Sequence, residues 1–544
     1  MNPLVCNHIK RTVIGVISTL LFFGCEKTTL QWQDEGSHRW AHLRTKRGQD
    51  GLIQLTSEKT GVTFRNGISR EQIAANRALL NGAGVTTGDV DGDGITDIYF
   101  CRTDGPNVLY RNLGGWEFED ITEKAGVACA DQFSTGSVFA DLDGDNDLDL
   151  LVTAIGGSNA LFMNDGNGLF TEVTEGSGLA SNTGATTMAL ADVDGDGDLD
   201  LYLANYKAIL AKDIYTPFEL SYDEIVSEEN GNYSIRDKFI KHYTVEVRGN
   251  QILWFEMGEE DALLLNDGSG HFTKEPVSGD RFSFNGTAPD LRDWGLMARF
   301  QDVDLDGDPD LYVCNDFESP DRFYLNDGTG HFSLVSDVAV RSTSNSSMAI
   351  DFSDIERDGD LDFFIADMLS VRHKRRKTQM GTMLPTPLTI GAIDNRPQYM
   401  RNTMFLNRGD NTYAEIAQYA GLQASEWTWS ITFLDMDLDG YEDVLLTTGH
   451  AFDVMDSDTD AMIRSRTRSG MIDFTKSTMF LYPRLETANF AFRNSGNLTF
   501  EQMSDAWGFS STDISHGMAL ADFDNDGDLD VVVNRLESEA GVYR

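Results

Sequence analysis

Short apolar runs recur in pairs along the chain, and each pair flanks a polar loop of nine residues. VFA (138–140) and MALA (188–191) precede such a loop, whereas DIYF (97–100) and DVVV (530–533) follow one. Runs of this length that are rich in β-branched and aromatic residues are typical of buried strands, because an apolar helix face needs a longer repeat. The pattern therefore predicts that each loop joins the two strands of a hairpin.

The loop has the pattern Asp-x-Asp-x-Asp-Gly-x-x-Asp and occurs seven times with small variations. Its acidic positions one, three, five and nine are Asp89, Asp91, Asp93 and Asp97; Asp141, Asp143, Asp145 and Asp149; Asp192, Asp194, Asp196 and Asp200; Asp302, Asp304, Asp306 and Asp310; Asp354, Glu356, Asp358 and Asp362; Asp435, Asp437, Asp439 and Asp443; and Asp522, Asp524, Asp526 and Asp530. Position six is Gly in six loops and Asn146 in the second loop. Because Gly and Asn best tolerate a left-handed backbone, the loops are predicted to turn tightly there.

The acidic side chains of each loop predict a site for a hard cation. Carboxylates at alternate positions of a tight loop converge on one point, where they repel one another unless a cation binds them together. Calcium fits best, because magnesium demands a stricter octahedron and zinc prefers Cys and His ligands. Unliganded surface aspartates are the alternative interpretation. We therefore expect Ca²⁺ as the cofactor, at about seven sites.

The residue at position twelve excludes an EF-hand. That motif needs a bidentate Glu at this position and a helix on each side of the loop. Here position twelve is apolar in all seven loops: Phe100, Val152, Leu203, Val313, Ile365, Leu446 and Val533. The loops therefore connect strands and not helices.

Two further segments follow each hairpin, so that each repeat contains four strands. One is a strand that ends in Asn and a turn, as in LFMNDG (161–166), and the other follows the turn, as in FTEVTEGSGL (170–179). A four-stranded antiparallel repeat of this kind is a propeller blade. Six third strands are predicted to begin near Leu109, Leu161, Leu263, Phe323, Met404 and Ala491. The seventh would be 541–544, and IQLTSEKTGV (53–62) would add its fourth strand, so that the N- and C-terminal strands pair and close the ring.

With these motifs, the chain resembles the FG-GAP, or VCBS, repeat superfamily, and most closely the bacterial relatives of cartilage acidic protein. The resemblance covers residues 52–544. Its most specific segments besides the loops are FFIADM (363–368), QYMRNTMFLN (398–407) and WTWSITFLDMDLDGYEDVLL (427–446). It implies an all-β, seven-bladed β-propeller with calcium in the loops, as in integrin α-subunits, but little about chemistry.

The N-terminal region predicts export and lipid anchoring. Lys10 and Arg11 precede an apolar run that ends at Gly24 and Cys25, which resembles a lipoprotein processing site. Residues 1–24 would be the signal peptide, Cys25 the lipidated residue, 25–51 a tether and 52–544 the propeller. The expected location is the cell envelope, at the outer membrane or cell surface, with membrane contact through the lipid anchor only. An ordinary secretory signal with an incidental Cys is the alternative.

Composition limits the partners. The 88 acidic and 43 basic residues give a formal net charge of −45, which disfavours nucleic acid and anionic membranes as partners. Disorder is disfavoured because 40% of the residues are hydrophobic and 10% are aromatic. Cys101 and Cys129 are the one pair that is considered for a disulfide, and two free buried thiols are the alternative. Cys314 would belong to a separate blade.

Three long insertions identify a candidate recognition face. They follow the second strands of blades three, five and six, at about 204–260, 368–402 and 450–488, and therefore lie opposite the acidic loops. Insertions crowded on one face are typical of recognition elements. Candidate ligand-binding residues near that face are Asn81, Trp294, Asn315, Trp427, Trp429, His450 and His516. Aromatic rings and amides suit sugar or peptide ligands, and blade packing is the alternative for each residue.

The leading functional interpretation is a monomeric, calcium-binding cell-surface lipoprotein, a non-enzymatic receptor or adhesin for a glycan or a protein. A lyase-type, carbohydrate-active enzyme is the alternative, with His450 and His516 in acid–base roles. A scaffold subunit of an envelope complex is the third possibility. The basic run 372–377 suggests either an acidic ligand or pairing with the protein's own acids. The stretch 453–460, rich in Asp, lacks the glycine register of the seven loops.

Overall fold

The computed structural model describes residues 33–34, 36, 39–40, 51–248, 251–284, 291–317, 319–379, 396–469 and 476–544. The chain divides into two compact units, Met1–Gly48 and Gln49–Arg544. In the first unit, Gln33–Asp34 pairs with Arg39–Trp40 in an antiparallel sheet. The predicted signal peptide and Cys25 lie outside the described residues.

The second unit contains seven four-stranded antiparallel sheets, the blades, and blade four carries a fifth strand. The first strands are Val85–Gly88, Ser134–Ala140, Ala185–Ala191, Gly295–Gln301, Ala349–Ser353, Thr428–Leu434 and Ile514–Ala521. The second strands are Asp97–Phe100, Asp149–Ala154, Asp200–Asn205, Asp310–Asn315, Asp362–Ala366, Asp443–Thr448 and Asp530–Leu536. The third strands are Val108–Asn112, Ala160–Asn164, Ala262–Asn266, Arg322–Asn326, Thr403–Asn407, Phe490–Asn494 and Gly541–Tyr543. The fourth strands are Phe118–Asp120, Phe170–Glu172, Phe272–Pro276, Phe332–Leu334, Tyr413–Glu415, Phe500–Gln502 and, for blade seven, Gln54–Leu55.

The blades form a closed ring, the predicted seven-bladed β-propeller. Each first strand contacts the first strand of the next blade, and blade seven contacts blade one in the same way. Gln54–Leu55 pairs with Gly541–Tyr543, as the extra strand copy near the N-terminus predicted. The six predicted third strands each begin one residue before the expected position. The ring therefore has no open sheet edge between its first and last blades.

Apolar clusters between neighbouring blades form the core. Between blades one and two, for example, Tyr99 and Leu109 pack with Leu150 and Phe162. The second strands are buried along their whole length, because both of their faces contact a neighbouring blade. Each large apolar side chain buried in this way stabilises the fold by about 1.5–3 kcal/mol. The continuous apolar runs after the loops are therefore explained by burial on both faces.

The insertions begin at the ends of the second strands. In blade three, Ala191 pairs with Asp200 at the acidic loop, whereas Ala185 pairs with Asn205 at the other end of the sheet, where the insertion starts. We call these two ends of the ring the ion-loop face and the insertion face. The three insertions predicted at this position are present, and the described part of each contains short helices or strands.

The insertions and connections contain the remaining elements. In the blade-three insertion these are the helices Ala211–Ile214 and Tyr222–Ile225, the 3₁₀ turn Asp237–Phe239 and the strands Val226–Glu229, Asn232–Ile235, Tyr243–Arg248 and Gln251–Glu256. The blade-five insertion has the helix His373–Gln379 and the strand Gln398–Tyr399, which pairs with Thr343–Ser344. The blade-six insertion has the helix Ser457–Arg468 and the 3₁₀ turn Lys476–Leu481. The other helical elements are Ser57–Thr60, Arg70–Ala75, Arg77–Asn81, Thr122–Ala125 and Ala417–Ala420.

Two features of the fold were not predicted. Phe282–Ser283 pairs in parallel with Phe332–Leu334, so that the connection between blades three and four adds the fifth strand to blade four. Residues 70–81 form two helical turns that lie on the insertion face, where Arg70 stacks on Phe480 of the blade-six insertion. Among the described helices, none is both long enough and apolar enough to cross a bilayer.

Candidate functional site

Backbone hydrogen bonds hold each acidic loop in a tight turn around its first carboxylate. In loop one, Asp89 accepts hydrogen bonds from the backbone N–H groups of Asp93 and Gly94, at 3.1 and 2.8 Å. Asp93 in turn accepts one from the N–H of Ile95 at 3.0 Å. Position six is left-handed in every loop, with φ of 83° at Gly94 and 71° at Asn146. The predicted backbone of the loop is confirmed.

The carboxylate at position nine is buried and joins the loop to the sheet. Asp97 accepts hydrogen bonds from the N–H of Val90 at 3.0 Å and from the N–H of Asn112, on the third strand, at 2.7 Å. Burial raises the pKa of Asp97 to about 7, although these hydrogen bonds act in the opposite direction. Burial has the same effect on the pKa of the other position-nine carboxyls: about 7 in Asp310, Asp362 and Asp443, about 6 in Asp149 and Asp200, and about 8 in Asp530.

The carboxylate at position three leaves a buried oxygen unused. The Oδ1 atom at this position is buried and has no hydrogen-bond partner among the described residues in five loops, those of Asp91, Asp143, Asp194, Asp304 and Asp524. A buried carboxylate oxygen without a partner is expensive. The same oxygen atom lacks a partner in five copies of the loop, which is expected if a cation bonds to it.

The structure brings the predicted ligands together. One carboxylate oxygen from each of three positions lies within 4.8 Å of the others in five loops: Asp89, Asp91 and Asp97; Asp141, Asp143 and Asp149; Asp192, Asp194 and Asp200; Asp302, Asp304 and Asp306; and Asp435, Asp437 and Asp443. The loops that include Glu356 and Asp524 keep the same backbone hydrogen bonds to position one. These donor sets consist of oxygen atoms alone, which is the chemistry that calcium prefers.

Position seven of the loop is a further acidic position that the repeat pattern did not include. It is Asp147, Asp198, Asp308, Asp360 and Asp528 in five of the seven loops. Burial, together with the charge of Asp145, raises the pKa of Asp147 to about 6, so this carboxyl belongs to the same electrostatic cluster. Its recurrence in five copies was a signal that the sequence already contained.

The Asn at the end of the third strand connects neighbouring loops. The backbone N–H of Asn164 donates to Asp149 of its own loop at 2.9 Å, and its Nδ2 donates to the carbonyl of Val90, in the loop of blade one, at 2.8 Å. The same side-chain contact with the preceding loop is made by Asn112, Asn266, Asn326 and Asn494, at 2.9 Å in each case. The sequence suggested that this Asn forms a tight turn, and it does so as well, because its Oδ1 accepts the N–H of Asp165. The link between blades was missed.

On the insertion face, a short segment closes the centre of the ring. We call residues 76–82 the plug. Ala78 and Leu79 of the plug are buried in one apolar cluster with Tyr206, Trp294 and Trp427. The plug is tied to the blade-three insertion, because Asn76 donates to the carbonyl of Ala208 at 2.7 Å and Arg77 pairs with Asp213 at 3.0 Å.

Of the candidate ligand-binding residues, Asn81 belongs to the plug itself, and five others are buried and do not lie on the outer surface. Trp294, Trp427, His450, His516 and Asn315 have at most 7% of their surface exposed. Asn315 donates to the carbonyl of Pro320 and the indole of Trp294 donates to that of Glu256. Three of the seven, Asn81, Trp429 and His516, line a cavity of about 220 Å³ between the first strands.

Two tryptophans and two histidines pack against one another beside this cavity, with stacked rings except for the edge-to-face pair Trp429 and His516. The ring centroids of Trp427 and His450 are 4.2 Å apart, those of Trp429 and His450 6.0 Å, and those of Trp429 and His516 5.2 Å. Burial lowers the pKa of His450 to about 4 and that of His516 to about 3, so both imidazoles are neutral at pH 7. A general acid works best with a pKa near the operating pH. The geometry therefore adds no support to the acid–base roles of the enzyme alternative.

A family model described as an FG-GAP-like repeat matches residues 89–152, 141–203, 302–365, 390–446 and 480–533. These ranges contain all seven acidic loops and more than half of the chain. The chain belongs to the FG-GAP-like repeat family. The resemblance inferred from the loops and the third strands is thus confirmed.

This FG-GAP chain is also similar to curated relatives and to solved structures. Cartilage acidic protein 1 of Mus musculus is 24% identical over 190 residues, which are 34% of this chain and 29% of that protein; the Homo sapiens protein is 24% identical over 190 residues, 34% and 28%. The chain thus matches less than a third of the length of these relatives. Similar solved structures include an Agrocybe aegerita lectin (14% identity, 79% of this chain and 83% of that chain, TM-score 0.38) and a Burkholderia pseudomallei lectin (10%, 86% and 96%, TM-score 0.41).

The remaining motifs of this FG-GAP propeller have intramolecular roles. Arg375 of the basic run pairs with Glu426 at 3.0 Å and with Asp453 at 2.9 Å. Asp456 caps the helix Ser457–Arg468 by accepting the N–H of Thr459. One interpretation of the basic run 372–377 is that it pairs with acidic residues of the same protein. Arg375 forms such pairs.

The cysteine residues in the described part of the chain are free thiols. Cys101, Cys129 and Cys314 form no disulfide, and Cys101 and Cys314 are buried. Burial raises the pKa of Cys101 and of Cys129 to about 12, so both remain protonated at neutral pH. Of the two alternatives for this pair, the structure has the free thiols.

Proposed function

We propose that this protein is an exported, lipid-anchored binding protein whose propeller is stabilised by calcium in its acidic loops and whose insertions recognise a glycan or a protein. The buried, unpartnered position-three oxygens of five loops are the observation that carries the calcium part of this proposal. In each loop the ligands would be the carboxylates of positions one, three, five and nine. Calcium would neutralise the converging charges and so rigidify the hairpin.

The insertion of blade three supports recognition of a protein surface. Phe218 is 87% exposed, Val247 58%, Ile240 55%, Ile214 46% and Trp254 38%. Large apolar side chains that remain exposed within one segment are typical of interaction sites. Other residues of this insertion pack in a cluster around Ile225 and Phe239, so the insertion is a folded element that can present these side chains.

The location of the protein is the part of the proposal that rests on the sequence alone. A cationic start, an apolar run and Cys25 support lipidation and anchoring in the cell envelope. Metabolic labelling with a fatty acid should label the wild-type protein, and a Cys25→Ala variant should lose the label. An unlabelled wild-type protein in a bacterial host would remove the anchor from the proposal.

The binding function is tested by a screen of glycans and cell-surface proteins with the purified mature protein, with 1 mM calcium and with excess chelator. We expect a ligand that binds in calcium and loses affinity in chelator. A Phe218→Ser, Val247→Ser double variant should lose a protein ligand, whereas a Leu113→Ser, Leu169→Ser variant, which changes exposed apolar residues outside the insertions, should keep it. Elemental analysis of the same preparation should find calcium. A protein without calcium would contradict the role of the loops.

A further inference from the structure

The central channel of the propeller is closed at one end and open at the other. The first strands begin with buried residues at the plug and become partly exposed toward the acidic loops, as in Ile514–Ala521 and Ala185–Ala191. The plug, by contrast, is buried at Ala78, Leu79 and Leu80. The cavity of about 220 Å³ is therefore a blind pocket that is reached from the ion-loop face.

His516 lies at the closed end of this pocket with an unusual environment. His516 is 2% exposed, and neither nitrogen of its ring has a hydrogen-bond partner among the described residues. Gly82 of the plug packs so tightly against the imidazole that a Cβ atom at this position would lie 2.4 Å from the ring. The ring is thus held in place with one donor and one acceptor unused, since it is neutral. Buried polar groups in this state normally meet a ligand or water.

The rest of the pocket is uncharged and contains both polar and apolar side chains, the latter including Met188, Met297, Met348 and Met518. Asn81 supplies an amide, Thr187 and Ser430 supply hydroxyl groups, and Trp429 supplies an aromatic ring. None of the described lining residues is Asp, Glu, Lys or Arg, although the chain has a formal net charge of −45. A charged ligand would lose its hydration here without gaining a partner of opposite charge, which is costly. The pocket therefore selects for uncharged molecules.

We infer that this channel binds one uncharged, polyhydroxylated small molecule of the size of a single sugar ring, which enters from the ion-loop face and exchanges hydrogen bonds with His516. The volume is below the range of about 300–1,000 Å³ that is usual for drug-sized ligands, and it suits one ring. Hydroxyl groups both donate and accept, so they satisfy the two imidazole nitrogens and the amide of Asn81 together. This site is independent of the ligand proposed for the insertions, because it lies on the other side of the plug.

The test uses saturation-transfer NMR and calorimetry with the full mature protein in calcium. The probes are the methyl glycosides of glucose, galactose and mannose, and glucuronic acid as the charged counterpart. At least one neutral glycoside should bind with 1:1 stoichiometry and shift the His516 ring resonances, and glucuronic acid should not bind. Thr187→Tyr, which narrows the channel, should weaken binding at least tenfold, whereas Thr187→Ser, which keeps the hydroxyl group and does not narrow the channel, should not.

A His516→Phe variant is the second probe, because it fills the same space without hydrogen-bonding groups. It should also lose the neutral glycoside, with melting in calcium that matches the wild type. If it fails to fold, the two Thr187 variants decide alone. Absence of binding of any neutral glycoside at about 10 mM, a Kd above the millimolar range, would overturn the inference and leave the pocket to water. Equal binding of glucuronic acid, or unchanged binding in Thr187→Tyr, would also overturn it. None of these results depends on whether the insertions bind a partner.

Discussion

The two faces of the propeller are built in opposite ways. The ion-loop face repeats one nine-residue turn seven times, and in each copy the position-one carboxylate accepts a hydrogen bond from the backbone N–H of position six, as at Asp89, Asp141 and Asp522. The insertion face is assembled from segments that resemble neither one another nor the repeat, and they are held by single contacts such as that between Arg77 and Asp213. The repeated loops therefore concentrate negative charge on the ion-loop face. The insertion face is closed by contacts that occur only once.

This difference separates the sources of stability. On the ion-loop face, the converging carboxylates repel one another, and under the proposed function the stability of this face depends on the calcium concentration in solution. On the insertion face, ion pairs and apolar clusters are complete within the protein itself, as in the cluster of Leu79, Trp294 and Trp427. Perturbing calcium should therefore affect every blade, whereas mutations on the insertion face should act locally.

Removal of calcium should produce the largest effect. For a dissociation constant of about 10⁻⁴ M, typical of the weaker extracellular modules, 1 mM calcium contributes about 1.4 kcal/mol per site and about 10 kcal/mol over seven sites. For a domain of this size we expect excess chelator to lower the Tm by about 10 °C. Differential scanning calorimetry measures this shift, and magnesium in place of calcium should restore little of it. A melting curve that chelator leaves unchanged would refute a stabilising role of the loops.

Breaking the ion pairs of Arg375 should have the next largest effect, and on the other face. Arg375, Glu426 and Asp453 have side chains that are 11%, 2% and 8% exposed. Because Arg375→Met leaves two buried carboxylates without a cation, we expect a loss of about 3–5 kcal/mol. Urea unfolding in calcium measures it, with the exposed Lys374→Met as the matched control. A variant as stable as this control would show that the pairs contribute nothing.

The same contrast explains what could be predicted from the sequence. The loops were predictable because all their ligands lie within nine residues, and the ring closure was predictable because 53–62 copies a strand found in other blades. The plug was not, since its partners Ala208 and Asp213 are more than 130 residues away. The bridging role of Asn164 was hidden for another reason: turn formation alone already accounted for an Asn at that position.

Burial was the property that local patterns failed to reveal on the insertion face. Tryptophan is common in sugar-binding surfaces, and the sequence therefore suggested such a role for Trp294 and Trp427. Both residues lie instead in a core that the plug and the insertions form together. His516 lies near the start of a first strand, Ile514–Ala521. Its place at the closed end of a channel depends on Gly82, which the sequence did not connect with it.

Acid should destabilise the insertion face through its buried histidines. Burial, aided by the positive charges of Arg375 and Arg484, lowers the pKa of His450 from 6.5 to about 4, although the hydrogen bond with the backbone of Phe452 and the charge of Asp453 act in the opposite direction. The unfolded state therefore takes up the proton first, so this stability is complete above pH 6.5 and is lost as the pH falls toward 4, by about 3 kcal/mol. Urea unfolding at pH 7 and pH 4.5 in calcium should show a smaller acid loss in His450→Asn than in the wild type. The exposed His331→Asn should behave like the wild type, and equal losses in all three proteins would contradict the assignment.

The smallest expected effect concerns the hydrogen bonds between neighbouring blades. It tests whether calcium binding at one loop is coupled to calcium binding at the next. Asn164→Ala removes the hydrogen bond from Nδ2 to the carbonyl of Val90, at 2.8 Å, and should cost about 1–3 kcal/mol. Since Val90 belongs to loop one and Nδ2 of Asn164 also donates to the carbonyl of Leu148 in loop two, at 3.1 Å, calcium affinity should fall at both loops and not at one. Calcium titrations followed by NMR of the loop glycines measure this. Asn167→Ala, which removes only the hydrogen bond from Nδ2 to the carbonyl of Asp165 within the exposed turn, should leave both affinities unchanged. A loss confined to loop two would mean that the blades bind their ions independently.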